Sequence, residues 1–446
     1  MSAASQPEQV PAATRFASLA TAATIVCVLL SIVFDWATLL AGVAAIAMLC
    51  GAFLVATPRT RVVVALLVGI GLASAVFGVV LFGSSFELTQ LGRLNQDLVA
   101  MLAGGAFIRG VVSTTKRTPK PRLTGAPAVL RTAYVSHFMG SVLNMVSIGI
   151  VGDHLQRRGK LSVNNASLIV QSFSTGALWS PFWTVSALVV AYFPTVALLP
   201  ISATGLMFGL VLLGLGTLWN ISRRTREELA DPGYALQPSI LALPLALIAC
   251  VVVGHALLPE TPVPRIVLLA SLLVPFVLGI ARAGIKTTAK LYAQVASGGL
   301  TGSANEFALF VAAGVFTIGG SMLTTHLPFQ LSSVPPSVFT AWLLTVAITL
   351  LSVFGVHPII SISVASALAL FVPEGGVLYA AAVLWGWCIA SPVGPLAGTV
   401  IYVSGRFHVK ERELIASNIP FAVLGLALAF PAIYVASQLS SAWGFG

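Results

Sequence analysis

Two short stretches, GALWSP at 176–181 and CIASPVGP at 388–395, each interrupt a long apolar run with a Ser-Pro pair. The runs cover 166–193 and 376–403, and each is long enough to cross the ~30 Å hydrocarbon core of a membrane. A helix that breaks inside a membrane frees backbone groups that cannot face lipid, so breaks occur where protein buries them or where they line a cavity. The two stretches therefore predict a polar cavity inside a membrane-embedded fold.

The rest of the chain has the composition of a membrane protein. Hydrophobic residues make up 57% of the 446 residues and charged residues 8%, whereas about a quarter of a soluble domain is charged. A soluble globular protein is therefore excluded. Further apolar runs of spanning length lie at 16–34, 36–56, 62–83, 97–113, 197–218, 238–257, 265–282, 306–322 and 414–437. The four cysteines have spacings that suit neither a metal site nor a disulfide framework, so no metal is expected.

The excess of basic residues predicts which loops face the cytoplasm. The net charge is +10, and because Lys and Arg concentrate in cytoplasmic loops, this charge does not indicate a nucleic-acid partner. With the N-terminus in the cytoplasm, a single crossing by 127–152 would place the basic cluster at 157–160 outside. A re-entrant hairpin over 127–152 keeps this cluster and that at 116–122 inside. The run 338–371 is too long for one span and has Gly and Pro near its middle, so it predicts a second hairpin, entered from outside. The C-terminus then lies outside.

These assignments divide the chain into two repeats of opposite orientation. Each repeat contains three spans, a hairpin, a broken span and a last span, and an odd number of spans inverts the second copy. The predicted divisions are a cytoplasmic tail at 1–15, an extra span at 16–35, a first repeat at 36–218 with a hairpin at 127–152 and a broken helix at 166–193, a cytoplasmic linker at 219–237, a second repeat at 238–437 with a hairpin at 338–371 and a broken helix at 376–403, and a tail at 438–446. The predicted fold class is an all-α polytopic membrane protein with inverted-repeat transporter architecture, about 11 transmembrane helices and two opposed re-entrant hairpins.

Four motifs in these segments resemble the ion transporter superfamily, which includes divalent-anion/sodium symporters, arsenite permeases, citrate carriers and the membrane subunits of tripartite carboxylate transporters. They are FMGSVLNM at 138–145, STGALWSPFW at 174–183, FGVHPIISISV at 354–364 and IASPVGPLAG at 389–398. The likeness covers nearly the whole chain from about residue 36, and it implies elevator-type alternating access. Dicarboxylate symporters carry Ser-Asn-Thr at both hairpin tips, whereas Asn144 and His357 stand at the tips here. The coupling ion, H⁺ or Na⁺, is left open.

The breaks and the hairpin tips supply the candidate site. Half-helices that begin at a break direct free N–H groups and positive dipole ends toward a substrate, which favours an anion. The Ser-Pro pairs are predicted to be the N-cap and first residue of these half-helices. The candidate substrate-binding residues are Ser141, Asn144, Ser174, Thr175, Ser180, His357, Ser391, Gly394 and Thr399. The residues that break the helices are Gly140, Gly176, Pro181, Gly355, Pro358, Pro392 and Pro395.

Two titratable residues are candidates for ion coupling. His357 lies in an otherwise uncharged membrane segment, and an imidazole that titrates near neutral pH suits proton coupling. The alternative is a structural histidine that bonds a backbone carbonyl at the turn. Glu306, at the start of its span, is either a proton or cation carrier, or a structural residue that forms an interfacial cap or contacts Arg282 or Lys286. His137, short of the first turn, is predicted to be structural or interfacial.

The predicted function is secondary transport of a small anion, with an organic carboxylate as the expected class, across the cytoplasmic (inner) membrane. No Walker A loop is present, so ATP drive and nucleotide cofactors are not expected. A cation/proton or arsenite-type antiporter of the same superfamily is the alternative, although neither break contains an acidic residue. An integral-membrane enzyme acting on lipid-linked substrates is a remote alternative, since no catalytic cluster of Asp, Glu and His is evident. The expected partners are the small anion and the lipid bilayer, with a homodimer left open.

Overall fold

The computed structural model describes residues 11–113, 123–157, 159–193, 195–234, 238–324, 335–367 and 375–444. In these ranges the regular structure is helical, and the β pairing is limited to an isolated bridge between Arg157 and Lys160. The α-helices are α1 Ala12–Leu30, α2 Ala37–Val55, α3 Pro58–Phe82, α4 Gln96–Ser113, α5 Gly125–Leu143, α6 Met145–Leu155, α7 Val163–Ser174, α8 Thr184–Tyr192, α9 Leu198–Ser222, α10 Arg226–Ala230, α11 Pro238–Leu257, α12 Val263–Ala283, α13 Ile285–Gly298, α14 Ala304–Thr324, α15 Val338–Val353, α16 Pro358–Ala367, α17 Gly376–Ala390, α18 Gly398–Phe407 and α19 Glu411–Ala442. The 3₁₀ helices are Leu88–Arg93, Thr175–Leu178 and Gly299–Ser303.

The helices confirm an all-α polytopic membrane protein. In the described chain, 7 segments are long and apolar enough to cross a membrane: α1, α2, α3, α9, α12, Ile285–Leu323 and α19. Shorter apolar helices lie at Met145–Leu155, Leu245–Leu257, Val338–Val353 and Gly376–Ala390. Three of these four fall in the predicted hairpins and the second broken helix, where half-length elements are expected. The number of crossings and their sidedness stay predictions. The predicted basic cluster at 116–122, Arg158 in the cluster at 157–160, and the end of the second hairpin at 368–371 lie outside the described residues.

The chain packs into two compact units. The first comprises Met1–Thr114 and Ser271–Gly319, and the second comprises Thr115–Ala270 and Gly320–Gly446. Both predicted hairpins and both predicted breaks belong to the second unit, whereas Glu306 belongs to the first. The packing division therefore cuts across the predicted division into repeats.

Glycines let the helices of the first unit approach closely. A Cβ atom at Gly51 of α2 would lie 2.7 Å from the Cα atom of Ala17 in α1. A Cβ atom at Gly71 of α3 would lie 2.8 Å from the carbonyl oxygen of Val315 in α14. Small residues at such crossings let backbones meet, which is how helices associate where lipid is as apolar as their side chains.

The second unit contains two similarly ordered sets of helices. The first set is α5 to α9, and the second is α15 to α19; in each, a helix–turn–helix is followed by an interrupted helix and a long helix. α5 packs against α7 and α9, and α15 packs against α17 and α19. The long helices α9 and α19 also pack against each other. This common core positions the tips and breaks described below.

Candidate functional site

The first helix–turn–helix turns at Asn144, as the sequence predicts. α5 ends at Leu143 and α6 begins at Met145, with Asn144 between them at φ 53°. Asn tolerates a positive φ better than most residues because its short polar side chain bonds locally. Here the Asn144 side-chain oxygen accepts from the Met145 N–H at 2.8 Å, and its carbonyl accepts from the Ser147 hydroxyl at 2.8 Å. The tip is therefore held by its own backbone and side chain.

The first break differs from the predicted Ser-Pro cap. α7 ends at Ser174 and passes into the 3₁₀ segment Thr175–Leu178, and α8 begins at Thr184 with Trp183 as its N-cap. The prediction that Ser180 and Pro181 begin the half-helix is therefore wrong. The Ser180 hydroxyl accepts from the Phe182 N–H at 3.2 Å and donates to the carbonyl of Ser141 in α5. Because these bonds hold Ser180 in a turn against the hairpin, the helix starts later.

The second break shows the same departure. α17 ends at Ala390, Ser391 follows as its C-cap, and α18 begins at Gly398 with Ala397 as N-cap. The Ser391 hydroxyl donates back to the Trp387 carbonyl at 2.8 Å, so it closes the preceding helix instead of opening the next. The prediction for Ser391 and Pro392 is therefore also wrong. Thr399, in the first turn of α18, donates its hydroxyl to the Ser391 carbonyl at 2.5 Å and ties the two ends together.

His357 caps the helix after the second tip. Gly355 turns the chain at φ 90°, and Pro358 is the first residue of α16. The His357 Nδ1 atom accepts from the Ile359 N–H at 3.3 Å, so Nδ1 carries no proton in this arrangement. The structural alternative predicted that the His357 ring bonds a backbone carbonyl. In the structure the ring instead accepts a hydrogen bond from a backbone N–H. The ring also contacts Trp387 edge to face at 5.6 Å, which joins the tip to the second break.

His137 joins the first hairpin to the first break, a role that sequence reasoning missed. The indole N–H of Trp179 donates to His137 Nε2 at 3.1 Å. Since Trp only donates, Nε2 is unprotonated and the proton lies on Nδ1, which is 2.8 Å from the Thr175 hydroxyl. Thr175 in turn donates to the Ser172 carbonyl at 2.9 Å. The ring is fully buried, so His137 is an interior residue and not an interfacial one.

Glycines bring each hairpin against a break. A Cβ atom at Gly176 would lie 2.9 Å from both the Ser141 hydroxyl and the Trp183 indole nitrogen. A Cβ atom at Gly394 would collide with the hydroxyl of Ser352 in α15. Trp183 Nε1 and Ser352 Oγ are buried and have no hydrogen-bond partner among the described residues. Polar atoms therefore line both contacts.

Asn418 of α19 links the second break to the first interrupted helix. Its side-chain N–H donates to the Pro392 carbonyl at 3.1 Å. Its side-chain oxygen accepts from the Ser167 hydroxyl at 2.6 Å and from the Gln171 amide at 2.9 Å, both on α7. All three side chains are buried. Asn418 therefore satisfies a carbonyl freed by the break, and a lone Asn in an apolar run gave no sequence signal of that role.

The two sets of helices also meet through their shorter pieces. Arg406 of α18 forms a bidentate ion pair with Asp153 of α6, with a shortest distance of 2.8 Å, and this hydrogen bond raises the pKa of Arg406. The Tyr192 hydroxyl of α8 lies 3.3 Å from the hydroxyl of Ser363 in α16. Thus α18, which follows the second break, contacts α6 of the first set, and α8, which follows the first break, contacts α16 of the second set.

This arrangement of helices is found in a solved structure. The chain superimposes on the crystal structure of the YdaH transporter of Alcanivorax borkumensis, described as having an unusual topology, with a TM-score of 0.51 and 17% sequence identity. The match covers 86% of this chain and 99% of that one. The chain has the fold of a membrane transporter. No protein-family profile and no curated protein sequence matches it.

The predicted site residues separate into those brought together and those kept apart. Ser141, Thr175, Ser180 and Gly176 meet at the first break, whereas the Ser174 hydroxyl is taken by the Val170 carbonyl of its own helix at 2.8 Å. Those that meet at the second break and its tip are His357, Ser391, Gly394 and Thr399. Their substrate contacts stay predictions.

Glu306 lies in the first turn of α14, in the first unit. Its carboxylate is within electrostatic range of the Arg109 guanidinium, a neighbour the sequence analysis did not pair with it. A Cβ atom at Gly302 would lie 3.7 Å from the same guanidinium, which places Arg109 beside the start of α14. In the described part of the chain, no three His, Cys, Asp or Glu residues are grouped to hold a metal ion.

Proposed function

We propose that the protein is a secondary transporter that carries a small anion, an organic carboxylate, across the cytoplasmic membrane by elevator-like alternating access, with H⁺ or Na⁺ as coupling ion. The observation that carries the proposal is the meeting of two interrupted helices and two helix tips in the second unit. α17, which leads into the second break, packs against both the 3₁₀ segment Thr175–Leu178 and α8 of the first break. Interrupted helices of membrane transporters line their substrate cavities.

The chemistry of the breaks favours an anion. The stretches 174–184 and 389–398 contain no Asp or Glu, and α8 and α18 begin in them with free N–H groups and positive dipole ends. The Trp183 indole N–H is a further donor there. A site that offers N–H donors and has no carboxylate side chains suits a carboxylate solute better than a cation.

The contacts between the two sets of helices support an inverted repeat with two re-entrant hairpins. α6 in the first set corresponds to α16 in the second, and α8 corresponds to α18. The contact of α6 with α18 is therefore equivalent to the contact of α16 with α8. Such reciprocal contacts are expected of repeats related by a two-fold axis in the membrane plane. We extend the proposal to an N-terminus in the cytoplasm and a C-terminus outside, from the positions of the basic residues. A homodimer in the bilayer belongs to the same proposal.

Counterflow in proteoliposomes tests the proposed function. Vesicles that contain the protein and a high internal concentration of a carboxylate are expected to take up the same labelled carboxylate transiently, at varied pH and sodium. A panel of mono- and dicarboxylates and inorganic anions identifies the solute class, and protein-free vesicles are the control. Absence of uptake of every anion, together with cation exchange that needs no anion, would contradict the proposal.

Glu306 carries the alternative of a cation/proton or arsenite-type antiporter. Glu306 lies in the first turn of α14, where an acidic residue stabilises the positive end of the helix dipole. Such a structural role predicts that Glu306→Gln retains carboxylate transport within about threefold. The measurement is initial counterflow rate, with Glu87→Gln, on an exposed loop, as the matched control. Anion-independent cation exchange that Glu306→Gln abolishes would favour the antiporter instead.

Replacement of His357 by Asn separates capping from coupling. Asn is an effective N-cap and accepts from the same helix N–H groups, so the thermal unfolding temperature in detergent is expected to stay close to that of the wild type. If His357 carries the coupled proton, the pH dependence of uptake is lost in this variant. Retention of the full pH dependence would assign the proton to another group or leave sodium as the coupling ion.

A further inference from the structure

Arg131 is the one Lys, Arg, Asp or Glu in α5, the first helix of the first helix–turn–helix. Its Nε and Nη2 atoms are shielded from solvent and have no hydrogen-bond partner among the described residues. Arg131 as a whole is partly exposed, but a buried N–H group without a hydrogen-bond partner destabilises the fold. This guanidinium edge, which has no acceptor among the described residues, is therefore the feature of the second unit that most requires explanation.

Other arginines of the same unit show what this side chain does when a partner is in reach. Arg406 binds Asp153 through Nε and Nη2, and Arg157 binds Asp231 at 3.1 Å. Arg224 donates to Asn220 at 2.9 Å and to Asn165 at 2.8 Å. Each of these uses its Nε atom or its Nη2 atom, the same atoms that are unpaired in Arg131.

The two unpaired atoms form one edge of the planar guanidinium. Nε–H and Nη2–H point in parallel, and this fork matches the two oxygens of a carboxylate or phosphate in a bidentate contact. A lysine presents a point charge and cannot make the same pair of bonds. The chemistry that the edge would recognise is therefore an oxyanion with two coplanar acceptor oxygens.

The face of α5 that carries Arg131 also carries exposed residues. Phe138 lies seven residues after Arg131, hence on the same helical face and about 10 Å further along the axis. Its side chain is 38% exposed, and Pro127, one turn before Arg131, is also exposed. Phe138 in turn contacts Trp179 of the first break, with ring centroids 6.2 Å apart. The face that carries Arg131 thus leads to the break.

We propose that the Nε–Nη2 edge of Arg131 binds a carboxylate of the transported solute. The proposal rests on the proposed anion transport and adds a residue to it. A phosphate of an anionic lipid headgroup has the same acceptor chemistry, so the test must separate the two sources.

Binding is measured with the full chain in neutral detergent, by isothermal titration with the carboxylates that support counterflow and with inorganic phosphate. Arg131→Gln is expected to weaken carboxylate binding roughly 10- to 100-fold, the loss of a charge-assisted pair of bonds, and Arg131→Lys to weaken it less. Lys290→Gln, an exposed charge on α13, is the control and is expected to bind as the wild type does. Without solute, Arg131→Gln is expected to unfold at the same or a higher temperature, because it removes buried N–H donors that have no partner among the described residues. A purely structural arginine would lower it.

The lipid arm uses nanodiscs of phosphatidylcholine with and without phosphatidylglycerol. Stabilisation by phosphatidylglycerol that Arg131→Gln removes, with unchanged carboxylate affinity, would overturn the proposal in favour of a lipid headgroup. If the wild type transports a carboxylate and Arg131→Gln binds that carboxylate with the same affinity, the Arg131 site is wrong and the proposed function stands. Carboxylate binding that needs Arg131, without transport of any anion, would overturn the proposed function and leave the site standing.

Discussion

Replacing Asn418 with leucine is expected to abolish carboxylate counterflow and to lower the stability of the fold by about 3 kcal/mol or more. The substitution removes the acceptor of the Ser167 hydroxyl and the donor to the Pro392 carbonyl in the buried interior, while the Gln171 amide keeps only its bond to the Ser167 hydroxyl at 3.0 Å. Each unpaired buried group costs about 1–3 kcal/mol. The measurements are thermal unfolding in detergent and initial rate of uptake in proteoliposomes.

The control for Asn418→Leu is Ser437→Ala on the same helix. Ser437 is half-buried and donates only to the Tyr434 carbonyl of its own helix turn, so its replacement is expected to change stability by less than about 0.5 kcal/mol. A cycle with Ser167→Ala tests the network directly, since residues that share hydrogen bonds show non-additive effects. Additive effects of Ser167→Ala and Asn418→Leu would contradict the link between α7 and the second break.

Much of the fold was predictable because membrane insertion restricts the choice of structure. Apolar runs of spanning length indicated the helices, and the Gly and Pro residues at the two breaks indicated where helices are interrupted. The prediction that Gly140 breaks its helix is wrong, because α5 continues through it to Leu143. The turn at Asn144 was predictable because Asn is among the residues that most often adopt a positive φ, here 53°, with the side chain bonded locally. The starts of the half-helices were not predictable, because the Ser180 and Ser391 hydroxyls bond to other parts of the chain.

The candidate site was predictable only where local sequence determines it. Ser141, Thr175 and Ser180 lie beside breaks that the sequence marks, whereas His137 and Asn418 act through partners far along the chain. Such pairings depend on how helices cross, and helical periodicity carries no information on which residue of another helix stands opposite. The unpaired edge of Arg131 is likewise a property of packing.

Replacing Gly205 with alanine is expected to have the second large effect. Gly205 lies where α9 packs directly against the backbone of the first break. A Cβ atom at Gly205 of α9 would lie 2.7 Å from the carbonyl carbon of Leu178, the last residue of the 3₁₀ segment. Backbone cannot yield as a side chain does, so Gly205→Ala must displace either α9 or the break. We expect Gly205→Ala to lower stability by about 1–3 kcal/mol and to reduce counterflow at least tenfold.

Gly209→Ala, one turn further along α9, is the matched control. Its Cβ atom would lie 3.2 Å from a terminal methyl of Leu178, which can move aside, so an effect below about 1 kcal/mol is expected. Thermal unfolding and counterflow are measured for both variants. Both replace a glycine of α9 with alanine, so they differ only in whether the new Cβ atom meets the backbone or a side-chain methyl of Leu178. Equal losses in the two variants would show that the break does not depend on close backbone contact with α9. If only Gly205→Ala loses stability and counterflow, the first break depends on a close backbone contact at a glycine, whereas the second break depends on the hydrogen bonds of Asn418.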